Sequence, residues 1–378
     1  MSNPLPTQNN KPSPHFGGSR RGAFLSPHFG GSRRGAFLSP QFGGSWRGAL
    51  LVFLCLFFIS CIREEPAFTS NTKEGNFEAL WTLIDQQYCF FDYKGVDWNA
   101  MHAKYQPRAV GAPSTAALFD VMCEMLAELR DGHVNLSYAG EMGRYWEWKE
   151  NYPANFSTDL QQAYLGTDYH IAAGIKYRML NDNVAYVVVN SFNDGFGDGN
   201  LDYVMRNSML ATGMIIDVRN NSGGNLSDAE LLARRFTDRE RLVGYTMFKT
   251  GIGHNDFSAP EPEYLKPAKG IAWTKPAIVL TNRACYSATN TFVRDMRECP
   301  NVTVLGDTTG GGSGLPFVSE LPCGWLVRMS TSPMVDARLR HIEFGVPPHI
   351  VCPLDSSLAA QGIDSMIETA RQLLKNKE

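Results

Sequence analysis

The sequence predicts an α/β protein, because short apolar runs that suit strands alternate with helical patterns through its second half. Val184 to Asn190 and Gly213 to Arg219 are apolar and rich in β-branched residues, and Ala277 to Thr281 and Val302 to Gly306 are similar. A helix candidate, Leu226 to Phe236, follows the second run. Continuous apolar strands separated by helices are typical of a buried sheet, so we expect a sheet covered on at least one face.

A helical pattern comes before the strands, from Asn76 to about Arg130. Apolar residues recur there at spacings of three and four, as in Phe77, Leu80, Trp81 and Ile84, then Leu118, Val121, Met122, Met125, Leu126 and Leu129. We therefore predict a helical N-terminal subdomain over residues 76–135. Residues 136–172 have aromatic side chains without a clear period and are predicted to connect this subdomain to an α/β domain over 173–378.

The first 60 residues differ from the rest of the chain in composition. They contain six basic residues and no acidic ones, and the segment SPHFGGSRRGAFL begins at Ser13 and again at Ser26, with a variant copy at Ser39. An array rich in Gly, Ser and Arg has too little apolar content to fold alone. A basic arm for nucleic acid is the alternative, but the array runs directly into an export signal.

The uncharged segment Gly48 to Ser60 is 13 residues long, which suits the apolar region of a signal peptide and is short for a membrane span. It ends in FISC, which resembles a bacterial lipobox. The resemblance implies that Cys61 is lipidated, that 61–75 is a tether to the membrane, and that the protein is an exported periplasmic or outer-membrane lipoprotein. Ile62, in place of aspartate, implies no inner-membrane retention. A signal peptide cut elsewhere and a short anchor are the alternatives.

The charge of the remaining chain argues against a nucleic-acid partner. Without residues 1–60 there are 29 Lys and Arg against 38 Asp and Glu, a formal charge near −9. The cysteines after Cys61 show neither CxxC spacing nor neighbouring histidines, so no metal site and no cofactor are predicted. Disulfides stay open at this stage.

Ser287 is the candidate nucleophile. It lies between the apolar run Ala277 to Thr281 and a helical pattern formed by Ala288, Phe292, Val293 and Met296. A serine at a strand-to-helix junction can project its hydroxyl beside N–H groups that stabilise developing negative charge. The alternative is that Ser287 or Thr289 is only a helix N-cap.

Two glycine-rich segments are candidates for contacts with a substrate. In Ile215 to Asn225 a buried strand ends in Asn-Asn-Ser-Gly-Gly, and Gly223 or Gly224 could supply half of an oxyanion hole with the N–H of Ala288. An ordinary strand-to-helix loop is the alternative. Gly310, Gly311 and Gly312 form a flap or a backbone surface against which a substrate could lie.

His133, in the segment Arg130 to Ser137, is the candidate general base. An imidazole titrates near neutral pH and can take a proton from a serine hydroxyl. Asp131 and Gly132 form a turn before it. A purely structural histidine is the alternative.

Together these segments resemble the C-terminal-processing and tricorn-core family of serine peptidases. The opening Asn76 to Trp98, the DGH at 131–133, DVRNNSGG, the serine after CY, GDTTGGG and GVPPHIVCP occur in the family's order and cover nearly the whole chain after the leader. The resemblance implies a ClpP and crotonase-like catalytic domain of β-β-α units, with cleavage of peptide bonds through an acyl-enzyme. The connecting segment is too short for the PDZ-type insert found in such enzymes.

The sequence also distinguishes two branches of this family. The processing branch uses a lysine in a TxGKG context, but this chain reads TTGGG there and has no lysine between Lys275 and Lys375. The resemblance is therefore to the tricorn-like branch, in which a histidine assists the serine. It implies His133 in that role and Glu343 as the group that orients it, although the spacing from Glu343 to Gly345 is one residue short and His349 replaces an aspartate.

The predicted function is a serine peptidase that acts on peptides or unfolded proteins, with Ser287 as nucleophile and His133 as base. An inactive surface-anchored protein that binds peptides or small ligands on the same fold is one alternative. An acyl-CoA enzyme of the crotonase kind is another, but it would need neither an export signal nor a nucleophilic serine.

Overall fold

The computed structural model describes residues 70–376. The predicted leader and signal peptide, and the lipidation site Cys61, lie outside the described residues. Within 70–376, no helix is long and apolar enough to cross a membrane. The six cysteines in this range are all free thiols.

Four helices open the described chain, where the spacing of apolar residues predicts a helical region. They are α1 (Lys73–Gln87), α2 (Phe91–Lys94), α3 (Trp98–Val110) and α4 (Thr115–Ala127). Three begin at side-chain caps, in which Thr72, Asp97 and Ser114 each accept a backbone N–H of the first turn. The buried faces of α1 and α4 share one apolar core with Trp325 and Met329, from the C-terminal half of the chain.

The connecting segment contains short elements and no domain-sized insert. It consists of β1 (Asn135–Tyr138), β2 (Glu141–Gly143), α5 (Glu147–Glu150), α6 (Thr158–Leu165) and β3 (His170–Ala172). Strands β1 and β2 form an antiparallel hairpin. The division into domains at 135 and 172 stays a prediction.

Strands alternate with helices in the next part of the chain, which confirms the α/β class. All but two of these strands belong to one seven-stranded sheet. The elements are β4 (Ile175–Met179), β5 (Val184–Val188), α7 (Asp198–Asn207), β6 (Gly213–Asp217), α8 (Leu226–Ala233), β7 (Arg241–Thr246), β8 (Glu261–Leu265), β9 (Ala277–Thr281), α9 (Ala288–Arg297) and β10 (Val302–Gly306). A 3-10 turn, Arg234–Phe236, extends α8. All four predicted strands occur within two residues of their predicted ends.

The remaining elements are β11 (Gly314–Glu320), β12 (Leu326–Asp336), β13 (Ile350–Val351), α10 (Ser356–Ala359) and α11 (Ser365–Lys375). The large sheet has the order β13-β10-β9-β6-β5-β4-β3, parallel from β13 to β5. Side chains of α7, α8 and α9 pack on one face, and α11 packs on the other. The sheet is therefore covered on both faces, as its continuous apolar strands require.

A second sheet, in the order β2-β1-β12-β7-β8, is built around β12, which also pairs with β11. The long strand β12 pairs antiparallel with β1, β7 and β11. Its Val327 and Met329 belong to the core of the N-terminal helices, so this strand ties those helices to the rest of the chain. Chain segments that leave the carboxyl ends of β6, β9 and β10 converge at one edge of the large sheet, the usual place for a site in parallel sheets.

Candidate active site

Ser287 stands at the end of the loop after β9, directly before the first residue of α9. Its backbone has φ 57° and ψ −122°, a region that side chains with a Cβ rarely adopt. The loop is held there by hydrogen bonds from the N–H of Ser287 to the carbonyl of Gly311 (2.9 Å) and from Tyr286 to Asn221 (3.2 Å). The Ser287 hydroxyl makes no capping hydrogen bond to the helix, so an N-cap does not explain this serine.

The Ser287 hydroxyl instead meets His133. Nε2 of His133 lies 3.0 Å from Oγ of Ser287, although 154 positions separate the two residues in sequence. The turn before the histidine explains how the DGH sequence holds the ring, because the His133 N–H donates to Oδ1 of Asp131 at 2.8 Å. A Cβ at Gly132 would come within 2.7 Å of both Trp148 Nε1 and the Tyr286 hydroxyl, so only glycine fits between these rings.

Burial keeps the His133 imidazole neutral. The side chain is almost fully buried, and loss of water lowers the pKa of His133 to about 4; nearby Asp131 opposes this shift, and the positive charge of Arg328 adds to it. The nearby carbonyl of Gly314 raises the pKa of His133 slightly. This contact does not meet the geometry of a hydrogen bond, so Nδ1 of His133 has no hydrogen-bond partner within the described chain. At neutral pH His133 is therefore able to accept a proton.

A buried lysine that the sequence analysis missed lies behind the histidine. Nζ of Lys94, at the end of α2, is 2.8 Å from Oε1 of Glu343 and 3.4 Å from Oδ2 of Asp131. That same Asp131 oxygen also accepts hydrogen bonds from Tyr88 and Ser330, each at 3.0 Å. The three charged side chains are fully or almost fully buried and form one network, with Lys94 between the two carboxylates.

The network shifts each pKa in the direction expected from its neighbours. Burial opposes the Lys94 charge, but Asp131 and Glu343 outweigh it and raise the pKa of Lys94. Burial also opposes ionisation of Asp131, yet Lys94 and His133 hold its pKa below the usual range. For Glu343, burial and the charge of Asp131 raise the pKa to about 7, against the opposing effect of Lys94.

The role expected for Glu343, orienting His133, would require a contact between the two side chains. Glu343 makes no such contact. Its second oxygen, Oε2, accepts the N–H of Ser313 at 2.7 Å and lies 3.3 Å from the Ser313 hydroxyl. No hydrogen bond joins Glu343 to the imidazole in residues 70–376. The carboxylate can act on His133 only through Lys94 and Asp131, which makes its effect indirect.

Two backbone N–H groups in the loops around Ser287 have no hydrogen-bond acceptor within residues 70–376. Those of Gly224 and Ala288 donate to no other residue in the described part of the chain, and Gly224 lines the same cleft as Ser287. The N–H of Gly223, in contrast, donates to Oδ1 of Asn221 at 2.9 Å. Gly223 has a steric role, because a Cβ there would lie 2.9 Å from Cβ of Ser287.

The three consecutive glycines expected to bind substrate divide into two groups. Gly312 lines the cleft. Gly310 and Gly311 do not line the cleft and instead hold the loop that carries Ser287. The N–H of Gly310 donates to the carbonyl of Cys285 at 2.7 Å, and the carbonyl of Gly311 accepts the N–H of Ser287. A Cβ on Gly311 would come within 1.8 Å of the carbonyl oxygen of Glu343. The close contact explains why this stretch contains glycine.

The cleft has a volume of about 240 Å³. It is lined by His133, Gly224, Asn225, Leu226, Ser287, Thr291, Gly312, Gly314, Leu315, Pro316, Arg328 and Met334. A second depression, of about 340 Å³, shares Leu226, Thr291 and Met334 with it and extends between α8 and α9. Ser287 therefore borders a cleft that adjoins a second depression at Leu226, Thr291 and Met334.

The connecting segment covers the nucleophile loop from outside. Trp148 stacks on Tyr286 with the ring centroids 4.1 Å apart, and the Arg283 guanidinium lies 4.2 Å from the ring centroid of Tyr152. Arg283 also donates to the carbonyl of Trp148 at 2.5 Å. These aromatic residues support the loop that carries Ser287 and do not line the cleft.

Comparison with known proteins gives a consistent result. Residues 183–352 match the family model of peptidase family S41, and residues 70–127 match that of the Tricorn protease C1 domain. A putative peptidase from Parabacteroides merdae ATCC 43184, solved by crystallography, is 47% identical and covers 81% of this chain and 97% of its own, with a TM-score of 0.78. Mature CPAF complexed with lactacystin is only 14% identical but has the same fold, with a TM-score of 0.61 over 80% of this chain and 97% of its own.

The carboxy-terminal processing protease CtpA of Bacillus subtilis (strain 168) is 25% identical over 178 residues, which are 47% of this chain and 36% of that protein. A carboxyl-terminal-processing protease of Picosynechococcus sp. is 30% identical over 29% of this chain and 24% of its own length. The chain thus spans only 36% and 24% of the lengths of these two curated relatives. With the family model, these matches show that the chain belongs to peptidase family S41, the C-terminal-processing peptidases.

Proposed function

We propose that this chain is a serine peptidase that hydrolyses peptide bonds through an acyl-enzyme on Ser287. The observation that carries the proposal is the 3.0 Å distance between Nε2 of His133 and Oγ of Ser287. A neutral imidazole at that distance can take the hydroxyl proton as the oxygen attacks a carbonyl. Membership of family S41 supports the same reaction class.

In the proposed reaction, His133 accepts the Ser287 proton while Oγ bonds to the carbonyl carbon of the scissile peptide. The oxyanion that forms accepts hydrogen bonds from the N–H groups of Gly224 and Ala288, and the N-terminus of α9 adds a favourable field. His133 then donates its proton to the leaving amine. A water molecule, activated by the same imidazole, attacks the ester and releases the acyl product.

The role proposed for Glu343 is to set the charge state of the network behind His133. When His133 becomes positively charged, the carboxylate of Asp131 stabilises the imidazolium. If Lys94 were paired with Asp131 alone, it would offset the charge of that carboxylate. Glu343 also pairs with Lys94, with Oε1 2.8 Å from Nζ, and so offsets part of the Lys94 charge. Asp131 therefore keeps enough negative charge to act on His133.

The proposal includes export and attachment to a membrane through a lipid on Cys61, with a peptide or an unfolded protein segment as substrate. The support is the apolar segment from Gly48 to Ser60 followed by FISC. Metabolic labelling of the full-length chain with a radioactive fatty acid tests the anchor. Label in the wild type that is absent from Cys61→Ala is the expected result, and equal label in both would contradict it.

The test of the enzyme is covalent labelling by a fluorophosphonate, followed by mass spectrometry to locate the modified residue. We expect label on Ser287 in the full-length wild type, and no label in Ser287→Ala or His133→Ala. Ser357→Ala, which alters an exposed serine of α10, is the matched control and should label fully.

Hydrolysis of a peptide mixture by the same four proteins, read by mass spectrometry, should follow the labelling. Removing a nucleophile or its base leaves only the oxyanion donors and binding, so we expect activity to fall by at least about 10⁴-fold. A folded wild type that neither labels nor cleaves would favour a binding protein on the same fold. Full activity in Ser287→Ala would show that another residue is the nucleophile.

A further inference from the structure

Arg328 is the one side chain with a permanent charge that lines the described catalytic cleft. It lies on β12, paired in register with Asn135 of β1 on one side and Val318 of β11 on the other. Apart from His133, the other residues of the cleft wall are uncharged. Arg328 and Ser287 thus border the same space.

The Arg328 side chain has no protein partner, unlike the buried arginines of this chain. Arg219 is bound to Asp217 and Asp364, and Arg294 is bound to Glu263 and Asp295. Arg328 makes neither an ion pair nor a side-chain hydrogen bond with any residue in 70–376. It is partly exposed, which keeps the cost of the unpaired charge low in the free protein.

A peptide bound in the cleft would displace water from this guanidinium and make the unpaired charge costly. The charge also works against the reaction, since Arg328 lowers the pKa of His133, whose protonated form must appear as Ser287 attacks. A negative group on the substrate would remove both disadvantages. A guanidinium suits a carboxylate in particular, because its planar N–H groups can donate two parallel hydrogen bonds.

We propose that Arg328 is a specificity-determining residue that binds a carboxylate of the peptide substrate close to the scissile bond. The inference rests on the proposed peptidase function and deepens it by naming a substrate class. The carboxylate can come from an aspartate or glutamate side chain, or from the free C-terminus of the peptide. Both present the same planar group to Arg328, and the test separates them.

The experiment uses the full-length chain and three synthetic peptide libraries with randomised sequences, read by mass spectrometry. The first contains no Asp or Glu and has free C-termini, the second contains Asp and Glu and has amidated C-termini, and the third has neither kind of carboxylate. We expect kcat/KM for the preferred carboxylate library to exceed that for the third by roughly 10- to 100-fold, the range for a charge-assisted hydrogen bond. Preference for the first library identifies the terminal carboxylate, and preference for the second identifies an acidic side chain.

Variants then assign the preference to this residue. Arg328→Gln should abolish it while fluorophosphonate labelling of Ser287 and cleavage of the third library persist, and Arg328→Lys should restore part of it. Arg328→Glu should reverse it in favour of peptides with lysine near the cut. Arg239→Gln, which removes an exposed arginine from a turn, is the matched control and should behave as wild type.

Equal cleavage of the three libraries by the wild type, or a preference that survives in Arg328→Gln, would overturn the inference and leave the peptidase proposal intact. Absence of both labelling and cleavage in the wild type would overturn both. These two failures are distinguishable because labelling of Ser287 does not require a carboxylate.

Discussion

Replacing Lys94 with methionine tests the network behind His133. Methionine has nearly the length of lysine but no charge, so Asp131 and Glu343 would lose the cation that lies 3.4 and 2.8 Å from them. Removing one partner of a buried ion pair destabilises a protein by about 3–5 kcal/mol. Asp131 keeps its hydrogen bonds from Tyr88, Ser330 and the His133 N–H, which places the expected loss near the lower end, at about 3 kcal/mol.

The loss should depend on pH in a direction fixed by Glu343. Burial and Asp131 raise the pKa of Glu343 to about 7 even with Lys94 present, and removing Lys94 raises it further. When the pKa of a group is higher in the folded than in the unfolded protein, its contribution to stability is fully present at pH values below the unfolded-state pKa, here near 4.5. That contribution is lost as the pH rises through the folded-state pKa. The destabilisation by Lys94→Met should therefore be larger at pH 8 than at pH 5.

Urea denaturation of the full-length chain at pH 5 and pH 8 measures the effect. Lys104→Met is the matched control, since Lys104 is an exposed lysine paired with Glu128 and its removal should change stability little at either pH. The double variant Lys94→Met, Glu343→Gln removes one buried charge with its partner and should be more stable than the sum of the single effects. A cost for Lys94→Met that equals the control, or that is independent of pH, would refute the reasoning.

Three further predictions concern the nucleophile and its base. Because the pKa of His133 is about 4, kcat/KM should fall on the acid side with a midpoint near pH 4, and any additional step near pH 7 should come from Glu343 and be absent from Glu343→Gln. A limb near pH 6.5 that remains in Glu343→Gln would show that burial does not control the base. Ser287→Gly should be more stable than Ser287→Ala by about 1 kcal/mol in free energy of unfolding, because glycine tolerates φ 57°. The difference should appear as a higher melting temperature for Ser287→Gly, and equal melting temperatures would show that the backbone is unstrained. Gly223→Ala should lower kcat by about 10²-fold or more, because the added Cβ meets Ser287. The control Gly362→Ala, also at positive φ but with open space around it, should keep the wild-type kcat. Similar kcat values for the two variants would contradict the steric role of Gly223.

The sequence predicted the elements whose patterns are local. Continuous apolar runs identified β5, β6, β9 and β10, because a strand buried on both faces has no polar residue to interrupt it. The helices α1 and α4 were identified by spacing, since one face of each is buried. The short elements β2 and α5 in the connecting segment gave no period, because they are only three and four residues long.

The candidate site was predictable where a short motif carried it. Ser287, His133 and the glycine segments were identified from DGH, Gly-Gly and the strand-to-helix junction. Lys94 was not, because nothing near it in sequence marks it, and its partner Glu343 lies 249 positions away. Arg328 was missed for the same reason, since on β12 it is a single charged residue within an ordinary strand, and its position in the cleft wall follows only from the fold.

The strain at Ser287 explains why two glycine loops accompany this serine. A backbone at φ 57° and ψ −122° costs on the order of 1–3 kcal/mol and persists only where the surroundings leave no alternative. Gly223 allows one loop to lie against Cβ of Ser287, and Gly311 allows the other to accept the Ser287 N–H. The same arrangement turns the hydroxyl away from the N-terminus of α9, where it would otherwise cap the helix. The hydroxyl is thereby left to face His133, with Nε2 3.0 Å from Oγ, instead of accepting an N–H of the first helical turn.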